Sequence, residues 1–379
     1  HHEEEDLPGF VYDRLKAAVA EPTSTKVTTK METPILYFYS KDALDVSVRV
    51  DFPTGILTQW YPGVVDFRPQ ILWEQPQSVT SPPKDPAFDL SVALPTLECE
   101  DKNRRNGWLD WGSFRVLGRS ETAPMPPSAP KDRFTWSYAR DVDANFVKFP
   151  NGESERFLFY RGLSNAIPPV VVRALRADGQ GQRLSLVNAS RARVPSAMVL
   201  RVDENGGAFT ELPTGIPATG ELGVTAPEPA QFLPLGTYVD ALGAAMRSTL
   251  EAQGLFGDEA AAMVNTWSKQ WFTTPGLRVL YFAPPEWTEA TIPLRLAPAP
   301  RELVRIMVMR VEVLTPELED RDLAALNGAD DSAMRSYFAA LGRFAEPRLR
   351  RALSQTPSVA GNAFLGELAQ SVSRAGTAE

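Results

Sequence analysis

Histidine is almost absent from this chain. Its 379 residues include two histidines, His1 and His2, and their position at the start of the sequence is interpreted as the remnant of a purification tag. The absence of other imidazoles excludes Ser-His-Asp and Cys-His catalysis, histidine general bases and the usual zinc, copper and non-haem iron sites. What remains is chemistry by carboxylate, lysine, tyrosine or arginine side chains, or no chemistry at all.

Other common functional signals are also missing. Cys99 is the single cysteine, so the chain forms no internal disulfide and cysteine usage does not fix the redox compartment. The sequence has no apolar run of the ~20 residues that a membrane-spanning helix needs, and no glycine-rich phosphate-binding motif. The net charge of −8 argues against a nucleic-acid partner. We therefore expect no transmembrane segment, no cofactor and no nucleic acid.

Proline and aromatic residues are plentiful instead. The chain has 33 prolines, and 43% of its residues are hydrophobic, which is typical of a globular protein with long loops. The predominance of arginine over lysine, together with many alanines, indicates a GC-rich bacterial genome. A proline-rich, cysteine-poor and β-rich chain favours an extracytoplasmic location, either periplasmic, envelope-associated or secreted. A cytoplasmic location stays open.

The first half of the chain has the pattern of an all-β region. Apolar Leu44, Val46, Val48 and Val50 alternate with polar residues, which is the signature of a half-buried strand. Similar short segments separated by turn residues predict an antiparallel sandwich over residues 31–215, after an N-terminal extension and linker over residues 1–30. The predicted strands lie at 34–39, 44–50, 56–61, 89–94, 111–117, 135–138, 156–160, 170–177, 184–188 and 197–202.

The pattern changes after a segment rich in proline and glycine at residues 213–234. Residues 235–379 predict a C-terminal α+β domain with a helical hairpin, a small sheet and terminal helices, so the predicted fold class is α+β. Thr315 is a predicted helix N-cap, followed by Pro316 and Glu317. The strand predicted at 303–313 is apolar on both faces, and such strands are usually central in their sheet.

Aromatic residues near turns or acids are the main candidates for a binding site. Trp60 and Tyr61 end a predicted strand beside a Pro-Gly turn, where they could border a partner-binding loop. Asp110 lies between Trp108 and Trp111, an arrangement that sugar clefts use. All these aromatics could equally fill the core of a β-domain.

Three charged residues are further candidates. Arg161 directly follows a strongly apolar strand, so it either clamps an anionic ligand or pairs with a structural partner. Asp141 and Asp143 match the first ligand positions of a calcium loop, but glycine and glutamate are missing at the later positions. This excludes an EF-hand and leaves an irregular calcium site or a solvated loop.

Together these features predict a non-enzymatic interaction or structural protein. We expect it to belong to a bacterial envelope or secreted assembly and to bind another protein through its β-rich scaffold. The alternative is a carboxylate-dependent glycan hydrolase or a carbohydrate-binding protein, centred on Trp108, Asp110 and Trp111.

Overall fold

The fold is an arrangement of antiparallel sheets with helices concentrated in the second half of the chain. The computed structural model describes residues 34–68, 106–127, 131, 135–164, 166–175 and 181–375, together with two short strand segments at 12–13 and 29–31. The predicted α+β class is confirmed. The strand predicted at 89–94 lies outside the described residues, and the predicted sandwich arrangement stays a prediction. The strands are β1 (Tyr12–Asp13), β2 (Thr29–Met31), β3 (Ile35–Tyr37), β4 (Leu44–Phe52), β5 (Gly55–Tyr61), β6 (Asp66–Arg68), β7 (Gly107–Val116), β8 (Val147–Lys148), β9 (Ser154–Glu155), β10 (Phe157–Ser164), β11 (Val170–Ala174), β12 (Arg183–Asn188), β13 (Ala197–Asp203), β14 (Gly206–Leu212), β15 (Glu221–Thr225), β16 (Gly276–Phe282), β17 (Leu294–Ala297) and β18 (Val308–Glu312).

The helices follow the apolar spacing of the sequence. Thr315 is an N-cap as predicted, and its hydroxyl accepts a hydrogen bond from the Leu318 N–H at 3.4 Å. Among the described residues, none of the helices combines the length and the apolar character needed to span a membrane. The α-helices are α1 (Leu235–Ala252), α2 (Gly257–Trp267), α3 (Pro285–Thr291), α4 (Pro316–Leu326), α5 (Asp331–Ala339), α6 (Ala345–Gln355) and α7 (Val359–Ala375).

The strands form four sheets. The first has the order β1-β5-β10-β2, with β3 also paired to β10, and the second has the order β17-β4-β7-β8-β9, with β6 also paired to β7. The third is β11-β12-β15 and the fourth is β14-β13-β16-β18. Two sheets join distant parts of the chain, because β17 pairs with β4 and β16 pairs with β13. Strands from the predicted 31–215 and 235–379 segments therefore share sheets, and the domain bounds themselves stay predictions.

Each sheet is covered by an apolar core. The first and second sheets share a cluster that includes Phe52, Trp60, Trp111 and Leu158. One face of the fourth sheet packs on α1 and α2, and its other face packs on the third sheet. The terminal helices α4 to α7 form a separate cluster around Phe338. The fourth sheet is thus buried on both faces.

Two local predictions are wrong. Residues 135–138 do not form a strand, because Thr135–Asp141 is a 3-10 helix. Trp136 and Ala139 are buried three positions apart in this helix, which is the period of a 3-10 helix. The strand predicted at 303–313 is shortened to β18, which is terminal instead of central among the described strands of its sheet.

Candidate functional site

A cavity of about 960 Å³ lies where several elements of the two halves of the chain meet. Residues 34–40 border it from the first sheet, and α2 borders it from the helical hairpin. β17, β18 and the connecting residues 298–307 complete its lining. Its volume is at the upper end of the range of ligand-binding pockets, which is ~300–1,000 Å³.

The lining is mainly apolar, and its aromatic centre is a pair of tryptophans. The rings of Trp267 and Trp271 stack with 4.7 Å between centroids and an angle of 4° between planes. Met263, Ile306 and Met307 add half-buried aliphatic side chains. Unbranched methionine side chains adapt to occupants of different shape, and they recur in binding surfaces that accept several partners.

The charged residues of the lining are balanced in number, with three basic and three acidic side chains. Arg301, Arg305 and Arg310 stand against Glu259, Glu302 and Glu312. Nε of Arg310 donates to a carboxylate oxygen of Glu312 at 2.5 Å. The same oxygen accepts from Nε of the buried Arg278 at 3.1 Å, and Arg305 pairs with Glu289. The three positive and three negative side chains of the lining cancel, so the lining has no excess charge.

Burial alters the acid-base properties of several groups in and beside the cavity, among them Arg278 and Glu259. The pKa of Arg278 is lowered chiefly by desolvation, which Glu312 opposes. The pKa of Glu259 is raised, again chiefly by desolvation. Tyr39 donates its hydroxyl proton to Glu259 at 2.9 Å and so connects residues 34–40 with α2 across the border of the cavity.

Two acidic groups of the lining are engaged in hydrogen bonds. Glu312 is held by two arginines, and Glu259 by Tyr39 and the backbone N–H of Phe256. Within the described parts of the chain, no group of three His, Cys, Asp or Glu side chains is placed to hold a metal ion. The cavity therefore offers apolar contact surface and paired charges.

A sheet end also borders the cavity. All five residues of β18 contribute to the lining, and β18 pairs with β16 on one side. Among the described strands, none pairs with its other side. β17, the terminal strand of the second sheet, contributes Leu294 and Leu296 to the same lining.

Four residues predicted for the binding site are buried elsewhere. Trp60, Tyr61 and Trp111 are at most 1% exposed. Trp60 and Trp111 fill the core between the first two sheets, and Tyr61 packs with Phe159. Arg161 is 5% exposed, and its Nη1 donates to Oε1 of Gln59 at 3.4 Å. The strand faces that carry these four side chains are covered by the core. The four side chains are therefore not part of an exposed binding surface.

Trp108 and Asp110 lie on the outer face of β7. The guanidinium groups of Arg49 and Arg68 lie 4.4 and 4.9 Å from the centre of the Trp108 ring. Asp110 accepts the backbone N–H of Gly112 at 2.8 Å. Neither residue lines the cavity, so the structure does not join them to it.

The two calcium candidates are paired with basic side chains. Asp141 accepts from Nζ of Lys131 at 2.6 Å, and Asp143 pairs with Arg119 and Arg156. They do not converge with a third acidic residue among the described residues. Both aspartates thus take part in surface ion pairs, and the calcium site and the solvated loop both stay predictions.

Sequence reasoning did not assign the residues of the cavity to a site. Trp267 and Trp271 are four positions apart, a spacing that places both side chains on one face of a helix. The sequence alone shows this spacing. The approach of residues 34–40 to α2 depends on tertiary packing and had no signal in the sequence.

Comparisons of the chain with known protein families, with curated proteins and with solved structures find no match. The function is therefore argued from the site alone.

Proposed function

We propose that this chain is a non-enzymatic interaction protein of a bacterial envelope or secreted assembly, and that a segment of another protein binds in the cavity. The observation that carries the proposal is the apolar cavity of about 960 Å³ with the stacked pair Trp267 and Trp271 in its lining. Tryptophan is among the residues that contribute most to protein-protein binding. The extracytoplasmic location rests on the composition of the chain.

The charges of the cavity support a binding function. Acidic and basic residues of the lining are equal in number, and Glu312 is engaged by Arg278 and Arg310. A catalytic carboxylate must be accessible to a proton or a substrate, whereas the carboxylate of Glu312 already accepts hydrogen bonds from two arginines. Glu312 is therefore suited to a structural role.

The alternative of a glycan hydrolase or carbohydrate-binding protein receives less support. It requires an accessible cleft in which aromatic residues flank a pair of carboxylates. Trp111 is fully buried, and Trp108 is covered by two arginines. Asp110 also lies away from the cavity.

The test uses a variant that fills the cavity. Thr266 is half-buried on α2 and lines the cavity, so Thr266→Trp should occupy part of it. Ala244 is exposed on α1 and does not line the cavity, so Ala244→Trp is the matched control. Both proteins are first compared with the wild type by circular dichroism and thermal unfolding.

Binding is measured with a displayed library of random dodecapeptides, selected on the wild-type chain. We expect enriched peptides that bind the wild type and Ala244→Trp equally and lose at least about tenfold in affinity for folded Thr266→Trp. Equal binding to all three proteins, or no enrichment on the wild type, contradicts the proposal. The selected sequences are then compared with the envelope proteins of the native organism to identify the partner.

A further inference from the structure

We infer that Asn327, on the turn between α4 and α5, is a site of spontaneous covalent modification, at which the side-chain amide is hydrolysed to aspartate and isoaspartate. Asparagine followed by glycine favours this reaction, because glycine has no Cβ to hinder its own backbone nitrogen and reaches conformations that other residues avoid. The chain contains four such pairs, which begin at Asn106, Asn151, Asn205 and Asn327. Their surroundings in the structure differ.

The reaction proceeds in two steps and consumes only water. The backbone nitrogen of Gly328 attacks Cγ of Asn327, a C–N bond forms, and the bond between Cγ and Nδ2 breaks. Ammonia leaves with the proton of the backbone amide, and a cyclic succinimide remains. Water then opens the ring at one of its two carbonyl carbons, which gives aspartate or isoaspartate. Because the glycine N–H must be free to react, a hydrogen bond that holds it slows the first step.

The pair at Asn151 is held at both reacting groups. The N–H of Gly152 donates to the carbonyl of Phe149 at 3.0 Å. Nδ2 of Asn151 donates to Oε2 of Glu153 at 2.6 Å, and Oδ1 of Asn151 accepts the Glu153 N–H at 3.0 Å. The backbone nitrogen and the side-chain amide of this pair are therefore both occupied.

The pair at Asn205 closes the hairpin between β13 and β14. Gly207 donates its N–H to the carbonyl of Leu233 at 3.1 Å and accepts the Leu233 N–H at 2.9 Å. Because the backbone groups of successive strand residues point to opposite sides, those of Gly206 point to its ladder partner Asp203. Gly206 is also buried, so its nitrogen is not available for the attack.

The pair at Asn106 leads into β7. The N–H of Asp51 donates to the carbonyl of Pro293 at 2.9 Å, so the backbone groups of the next residue, Phe52, point to the opposite side, where β7 lies. The ladder partner of Phe52 is Gly107. Gly107 is buried, and its nitrogen is therefore held within the sheet.

The pair at Asn327 has neither kind of protection. Asn327 and Gly328 are both exposed. Asn327 directly follows α4 and donates its own backbone N–H to the carbonyl of Leu323 at 2.9 Å. Among the described residues, no hydrogen bond engages the Gly328 N–H or the Asn327 side chain. The attacking nitrogen and the carbon that it attacks are thus both accessible at this pair.

The modification changes the charge and the backbone of the terminal helices. It places a carboxylate at the C-terminal end of α4, where the helix already carries partial negative charge. Asp330 lies three positions later and caps α5 by accepting the N–H groups of Ser332 and Ala333 at 2.8 and 3.2 Å. Isoaspartate also lengthens the backbone next to Leu326, which is buried in the cluster around Phe338.

The experiment uses the whole folded chain, incubated in mildly alkaline buffer made with water that carries a heavy oxygen isotope. Peptide mapping by mass spectrometry measures the rate at which each of the four asparagines loses its amide and gains the heavy oxygen. We expect Asn327 to react at least about tenfold faster than the other three, because those require a local opening of the structure first. Asn327→Gln should abolish the product at this position, because the longer side chain forms the ring far less readily.

The matched control is the same chain unfolded in guanidinium chloride, where the hydrogen bonds are lost and the four rates should become similar. Equal rates in the folded chain, or a rate at Asn327 below that of another pair, overturns the inference. It also fails if the order of rates in the folded chain persists after unfolding, because neighbouring residues and not the structure would then set the order. Peptide binding enters neither measurement, so this inference and the proposed function stand or fall separately.

Discussion

β4 and β18 differ in a way that their sequences do not suggest. β4 alternates apolar and polar residues, the pattern of a strand with one solvated face, and it is paired on both sides, with β7 and β17. β18 has Val308, Arg310 and Glu312 on one face and Met309 and Val311 on the other, and it is paired on one side among the described strands. Apolar patterning thus reports which faces of a strand are covered. It does not report how many of its edges are paired.

The largest difference between the two strands should appear in the cost of removing a core side chain. Phe52 of β4 is completely buried in the core of the first two sheets, so Phe52→Ala should lower the free energy of unfolding by about 3–5 kcal/mol. Met309 of β18 is half-buried along the cavity, so Met309→Ala should cost only about 1–2 kcal/mol, less than a fully buried methionine. Denaturant unfolding measures both values.

Asp45→Ala is the control on β4. Asp45 is exposed and pairs with exposed Arg115 across to β7, and such surface pairs contribute at most about 1 kcal/mol. A cost for Met309→Ala that equals the cost for Phe52→Ala would show that the cavity side of β18 is as tightly packed as the core beneath β4.

The second prediction concerns the charge that β18 supplies to the interior. Glu312 is the carboxylate partner of Arg278, a guanidinium with no exposed surface. Glu312→Gln should lower the free energy of unfolding by about 2 kcal/mol, because it removes a charge-assisted hydrogen bond and leaves a buried cation. Glu312→Asp, which keeps the charge, should recover part of the loss. If the glutamine variant unfolds like the wild type, the carbonyls of Trp271 and Thr274 are sufficient partners for Arg278.

Much of the fold could be predicted because it depends on local patterns. The alternation in β4 and the helical spacing of Leu242, Met246 and Leu250 correspond directly to buried faces. The Thr315 cap is likewise a local signal. Burial of aromatic residues was a stated alternative, and Trp60 and Trp111 follow it.

The remaining features depend on contacts between distant residues. β17 reaches the second sheet by pairing with β4, about 250 positions earlier, and no local pattern encodes that choice. The cavity requires residues 34–40, α2 and β18 to surround one space. The spacing of Trp267 and Trp271 indicates that the two side chains lie together. It does not indicate that they line a cavity.

The third prediction concerns Glu259 of α2, which lines the cavity and has a raised pKa because of burial. A raised carboxyl pKa means that the folded state disfavours the anion, so this group's contribution to stability is lost as pH rises above its ordinary value of about 4.5. Glu259→Gln removes that dependence. We expect the stability of the variant relative to the wild type to increase from about pH 4 to about pH 7, by less than about 1 kcal/mol since the group is partly solvated.

Chemical denaturation of both proteins at each pH gives this difference. Asp240→Asn, on the exposed face of α1, is the matched control for replacing a carboxylate by an amide. A relative stability of Glu259→Gln that falls as the pH rises would mean that the hydrogen bonds from Tyr39 and Phe256 outweigh the effect of burial.

The smallest expected effect is that of removing the hydrogen bond of Tyr39 while keeping its aromatic ring. Tyr39→Phe removes the bond to Glu259 but keeps the edge contact with Phe256, whose ring centre is 4.9 Å away. Because Tyr39 is exposed, the loss should be about 0.5 kcal/mol. A double-mutant cycle with Glu259→Gln isolates the pair. A coupling near zero would show that apolar contact, and not this hydrogen bond, holds residues 34–40 to α2 at this border of the cavity.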